Sequence, residues 1–246
     1  TSAENPWFAR LVANRLWKHF LGRGLIEPED DLRSTNPATN EPLLDHLESR
    51  VIATRFDLRA VMREIVVSRT YQLASTTNYT NVYDQHNYSH YTPKPMPAEV
   101  LLDAINAACG TTEDIVGTPR GTRAIELWNN RLPSYFLEVF GRPERNSPCE
   151  CVRSSQPTMA QALHLMNAPE IEHKLTAPSG RVAQLLERGA PAQEIQEELC
   201  LAALGRMPTE KERSVAERLF ATGAPQQAAE DFLWALLNSY DFLFIR

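Results

Sequence analysis

NPWFARLVANRLWKHFLG, Asn5 to Gly22, is the stretch whose reading decides the fold class. Asn5 suits a helix N-cap, and Pro6 suits the first turn, where its missing N–H would be unpaired anyway. Phe8, Leu11, Val12, Leu16, Phe20 and Leu21 recur at steps of three and four, the spacing of one helix face. Gly22 can take the left-handed conformation that ends a helix. Arg10, Asn14 and Lys18 fall on the opposite side and read as a solvated basic face.

The same logic runs outward along the chain. Gly24 to Pro37 is a loop with an acidic cluster, Glu27, Glu29, Asp30 and Asp31. The cluster lacks the alternating carboxylates, central glycine and final glutamate of a calcium loop. A second helix is predicted from Glu41 to Ala53, and a third after the cap Asp57 through Leu58, Val61, Met62, Ile65 and Val66. Short connections make these three an antiparallel cluster. PAEVLLDAINAACG predicts a fourth helix closed by Gly110, with Cys109 a buried structural thiol. LPSYFLEVF predicts a short one ending at Gly141. In PTMAQALHLMN, Met159, Leu163 and Met166 form an apolar stripe that reads as core, with His164 between them on the wheel. From Pro169 onward the chain is a run of helices, one opened by the capping box of Thr209 and Glu212 and the last beginning near Pro225.

No β-alternation of useful length and no exact internal repeat is present. The predicted class is all-α, an irregular multi-helix bundle with long connecting loops. It reads as one helical domain over 1–246 with two subdomains, a three-helix cluster over 1–75 and a helical part over 97–246, joined by a polar loop over 75–97. The mix of 43% hydrophobic and 23% charged residues is that of an ordinary globular protein. A net charge of -6 argues against nucleic acid as a partner. No apolar run reaches the roughly 20 residues of a membrane-spanning helix.

Two stretches carry chemistry. The loop STTNYTNVYDQHNYSHYTPKPMP interleaves Tyr83, Asp84, His86, Tyr88 and His90. Such rings and polar groups can bind a ligand such as a polysaccharide by stacking, and His86 and His90 would share a metal only on a helix, which the Asn, Ser, Thr and Pro content opposes. The stretch FGRPERNSPCECVRSS, Phe140 to Ser155, joins two helices and holds Cys149 and Cys151 with Arg142, Arg145 and Arg153. Four readings stand here. The pair can bind a soft metal such as zinc with His164, though zinc favours CxxC spacing and further ligands would be needed. It can form a strained, reducible disulfide, or bridge to Cys109 or Cys200. The arginines favour thiolate and can hold an anion. Or the stretch is a proline-braced structural turn. No GxSxG, P-loop or GxGxxG is present, so a nucleophilic or nucleotide-binding enzyme has no anchor.

Read together, NPWFARLVANRLWKHFLGRGL, DLRAVMREIVVSRTYQLAS, NYSHYTPKPMPAEVLLDAI, YFLEVFGRPERNSPCECVRSSQPTMAQALHLMN, LAALGRMPTEKE and FLWALLNSYDFLF resemble a planctomycete-specific domain of unknown function, the PSD1-type C-terminal domain DUF1553. The resemblance implies an exported, periplasmic or cell-surface multidomain protein in which this chain follows a second uncharacterised domain and, in many members, a cytochrome-c-like domain. It implies upstream domains of the same polypeptide as partners and haem c only in such an upstream domain, because this chain has no CxxCH. It brings no activity. The chain departs from the family's CxCER at Val152, where an acid is usual. Two functions remain open: a ligand-binding or assembly module, or a redox or metal-dependent enzyme module using the CxC turn.

Overall fold

In the computed structural model the described residues are 5–128, 132–142 and 158–245. They form twelve α-helices, α1 (Pro6–Leu21), α2 (Glu41–Ala53), α3 (Leu58–Val66), α4 (Ala98–Cys109), α5 (Tyr135–Val139), α6 (Met159–Asn167), α7 (Pro169–Leu175), α8 (Arg181–Glu187), α9 (Ala192–Leu204), α10 (Glu210–Thr222), α11 (Pro225–Leu237) and α12 (Tyr240–Leu243). The extended elements among the described residues span only two residues each, Lys94–Pro95 and Phe244–Ile245. The fold is an all-α multi-helix one. The chain divides into two compact units, the first ending at Lys94 and the second running from Pro95 to Ile245.

The first unit is built on α1. The Asn5 side chain accepts from the Trp7 and Phe8 amides, and Gly22 closes the helix in the left-handed region. Leu16, Trp17 and Leu21 pack with Leu44, Leu47 and Val51 of α2 and Val61 and Ile65 of α3. The face expected to be solvated is not. Asn14 is wholly buried, and Arg10 reaches Asp45 at 2.6 Å, Glu48 at 3.2 Å and also Glu41 on α2. Lys18 pairs with Glu27 at 3.1 Å and with Glu29, while Arg15 forks onto Asp30 at 2.8 and 2.9 Å. The acidic loop is thus the counter-charge of α1, and the Lys18 ammonium holds the Glu29 carboxyl below its ordinary range. Amphipathic spacing identifies which face is apolar. It cannot show that the polar face is covered by a loop of opposite charge.

The second unit is built on α4. Leu101, Leu102, Ile105, Ala108 and Cys109 are buried among Leu199 and Cys200 of α9, Phe232, Leu233 and Leu236 of α11, and Phe136 and Leu137 of α5. Arg181 donates to the terminal α4 carbonyls of Ala107 and Ala108, each at 2.9 Å. A side chain at Gly110 (φ 70°) would place its Cβ 3.0 Å from the Arg181 amide nitrogen, so this close approach requires glycine. Thr209 and Glu212 form the expected capping box. Arg206 donates to both Glu212 carboxylate oxygens and to Asp241, each at 2.8 Å, and holds the Glu212 carboxyl down at about 2. Cys109 and Cys200 are buried free thiols among the described residues and are not bridged to each other. Burial pushes each up to about 11, which keeps them protonated and unreactive as nucleophiles at neutral pH.

Candidate functional site

Cys149, Cys151, Arg145 and Arg153 lie outside the described residues. Arg142 and His164, which flank that stretch, lie inside them. Arg142 donates through Nη2 to the Leu132 carbonyl at 2.6 Å, and its buried Nη1 has no partner among the described residues. His164 projects inward from α6. Its ring packs on Tyr135 and Phe136 at 5.5 Å each and on Phe140 at 5.8 Å. Its Nε2 is 3.7 Å from Glu170 Oε2, beyond hydrogen-bond reach, and is likewise unpartnered. Burial disfavours the imidazolium and lowers the His164 pKa. Burial raises Glu170, and the nearby Glu113 adds to the rise.

Behind this pair runs a polar network that periodicity alone did not single out. Lys174 is buried on α7, donating to Asn106 Oδ1 at 2.8 Å and pairing with Glu113. Thr111 donates to the same Asn106 oxygen at 3.2 Å. The sequence does carry one signal of it: Lys174 sits between Ile171 and Leu175 on the face that α7 buries. Among the described residues no three His, Cys, Asp or Glu side chains come together as a metal-binding group.

The Met159, Leu163 and Met166 stripe reverses the sequence expectation. These side chains are 75, 53 and 50% exposed, whereas His164 and Leu165 face the core. A nine-residue helix cannot bury both sides against one layer, and the aromatic pocket at His164 takes the inner side. Met166 also lines a cleft of about 740 Å³ between α7 and α11, with Ile171 and Leu175 from α7, Trp234 from α11, and the acids Glu172, Glu230 and Asp231.

The tyrosine loop belongs to the first unit. Asp84 organises it: its two oxygens accept from the amides of His86, Asn87 and Ser89 at 2.8–3.1 Å and from the Ser89 hydroxyl at 2.5 Å. The Ser89 hydroxyl and the Asn87 and His86 amides hold the Asp84 carboxyl well below its ordinary range. His86 Nδ1 meets the Arg23 guanidinium. Tyr88 is an anchor: its hydroxyl donates to Gly24 O at 2.8 Å, and its ring meets Trp17 edge-on at 5.3 Å. His90 is half-buried in the same loop, and its Nδ1 has no partner among the described residues. Only Tyr83 of the expected stacking pair stands free, at 91% exposed. Tyr88→Phe is therefore expected to destabilise the first unit by about 1 kcal/mol in urea denaturation, the worth of one part-buried hydrogen bond, whereas Tyr83→Ala changes stability by less than about 0.5 kcal/mol.

No helix among the described residues is long and apolar enough to cross a membrane. No curated protein and no solved structure matches the chain. A family model does: the one described as PSD1, protein of unknown function (DUF1553), matches residues 1–220. With that match covering most of the chain, the protein is a member of the PSD1 (DUF1553) family.

Proposed function

We propose that this domain is a non-catalytic binding and assembly module of an exported bacterial multidomain protein, and that its partners include upstream domains of the same polypeptide. The observation that carries this reading is the α6 stripe. Three long apolar side chains at one helical face, each half exposed or more, form a patch of the kind that marks an interaction surface. Tyr135 is a further exposed aromatic side chain near α6, its ring packed against His164. The thiols at Cys109 and Cys200 are buried, and the carboxylates Glu170 and Glu113 belong to a packed polar network, so neither set supplies an open catalytic centre.

Isothermal titration of the chain with its separately produced upstream domains tests this. Wild-type chain is expected to bind, and Leu163→Asp to weaken binding at least roughly tenfold. The melting temperature should move little, because Leu163 is already half in water. No binding, or wild-type affinity in the variant, would refute the proposal.

The unpartnered Nε2 of buried His164 favours a second reading, in which Cys149 and Cys151 hold a zinc ion or cycle between thiol and disulfide and His164 serves as a further ligand. Metal analysis and thiol titration of the purified chain decide it. Stoichiometric zinc that is lost in His164→Ala, or thiols that cycle with a mild reductant, would support the enzyme or redox module. Inert metal-free thiols would remove it.

A further inference from the structure

The α7–α11 cleft holds three carboxylates and no cationic side chain among the described residues. Glu172, Glu230 and Asp231 line it, and among the described residues no lysine, arginine or histidine does. Several acids elsewhere in the fold have a counter-ion on another element or turn: Glu41, Asp45 and Glu48 share Arg10, Glu113 has Lys174, and Glu212 and Asp241 share Arg206. The cleft acids have none among the described residues. Gln226 donates to Glu230 at 2.9 Å but adds no charge.

Three like charges around one concavity with apolar walls focus a negative potential into it. The floor is buried Ile171 and Leu175, and half-buried Trp234 brings an indole, the side chain that attracts cations best. The acids come from two helices and do not converge as a metal-binding group. That spread suits separate cationic side chains rather than one ion. A neutral sugar would leave all three charges uncompensated. Met166 belongs to both the cleft and the α6 stripe, so one ligand can use the apolar face and the acidic cleft together.

We propose that this cleft docks a cationic, apolar-anchored segment of a partner protein, with its arginine or lysine side chains among Glu172, Glu230 and Asp231 and its apolar residues over Met166 and the α6 stripe. The proposal rests on the binding-module reading above and specifies the chemistry of the partner. It names a direct electrostatic selection, which apolar docking alone does not have.

The test is fluorescence anisotropy of the full chain with three labelled helical peptides. They share one leucine pattern and differ only in flanking positions, which are all arginine, all glutamine or all glutamate. The arginine peptide is expected to bind at least roughly tenfold more tightly than the glutamine peptide and to lose that advantage at high salt. The glutamate peptide should not bind. Glu172→Gln, Glu230→Gln and Asp231→Asn combined should bring the arginine peptide to the level of the glutamine peptide, and Leu163→Asp should weaken both. The combined variant changes surface carboxyls only, and the salt series on wild-type chain gives the same answer without it. Equal binding of the arginine and glutamine peptides overturns the cationic partner while leaving apolar docking standing. Binding of none of the peptides also overturns it, and the titration with upstream domains then judges the binding-module reading separately. A neutral oligosaccharide such as cellohexaose that binds in a way abolished by the combined variant would replace the partner segment with a glycan.

Discussion

Replacing Lys174 with methionine is expected to lower the stability of the second unit by about 3 kcal/mol, measured as a shift in the urea midpoint at constant slope. Lys174 is 8% exposed, and its ammonium has two partners, Glu113 and Asn106 Oδ1. Methionine keeps the apolar stem and removes the charge. Glu113 then stands without its cation beside Glu170, whose own ionisation Glu113 already opposes. Breaking a buried pair from one side costs roughly 3–5 kcal/mol, and the 28% exposure of the Glu113 side chain places this case at the low end. Lys174→Met with Glu113→Gln should recover a large part of the loss, because the uncompensated carboxylate is what the single change leaves behind. A single-variant loss under about 1 kcal/mol, or a double variant no better than the single one, would show that the network contributes little.

Asn14→Leu is expected to destabilise the first unit by a similar amount, about 3 kcal/mol. Asn14 has no exposed surface, and it ties the acidic loop to α1. Its Nδ2 donates to Ile26 O at 2.9 Å and Glu29 O at 3.1 Å, and its Oδ1 accepts from the Ile26 amide at 3.0 Å. Leucine has nearly the same size and satisfies none of these groups, so the buried Ile26 N–H and C=O lose their partners, each worth about 1–3 kcal/mol. Gly24 is fitted to the same clamp. A Cβ there would lie 2.5 Å from Ile26 O and 3.0 Å from Asn14 Oδ1, so Gly24→Ala should fail in the same direction. Hydrogen exchange at the Ile26 amide reports the clamp directly: protection should fall in Asn14→Leu. Unchanged protection with a stability change under about 0.5 kcal/mol would remove the clamp from the account.

These two residues show where sequence reading stops. Both are polar positions on amphipathic helices. Helical periodicity assigned Asn14 to water because its neighbours on that face are Arg10 and Lys18, and all three are in fact covered by the acidic loop or by α2. Met159, Leu163 and Met166 fail in the opposite direction. Their spacing is that of a core stripe, and an apolar stripe looks the same whether it meets a core or a partner. Helix ends were more legible, because a cap is a local event: Asn5, Asp57 and Thr209 each bind their own helix's first amides. The candidate site was legible only at its edges. His164 was named for its nearness to the cysteines, while Glu170, Lys174, Glu113 and the cleft acids come from separate helices and loops and share no spacing.

The sequence by itself determined the helical class, most helix starts and stops, and membership of the PSD1 family, because caps, breakers and three-four spacing act within a few residues. Only the tertiary structure decided which polar side chains are buried, which apolar stripe stays in water and where carboxylates gather without a counter-ion. Those depend on which distant element covers each face, a choice made by the packing of the whole unit and not by any one segment of it.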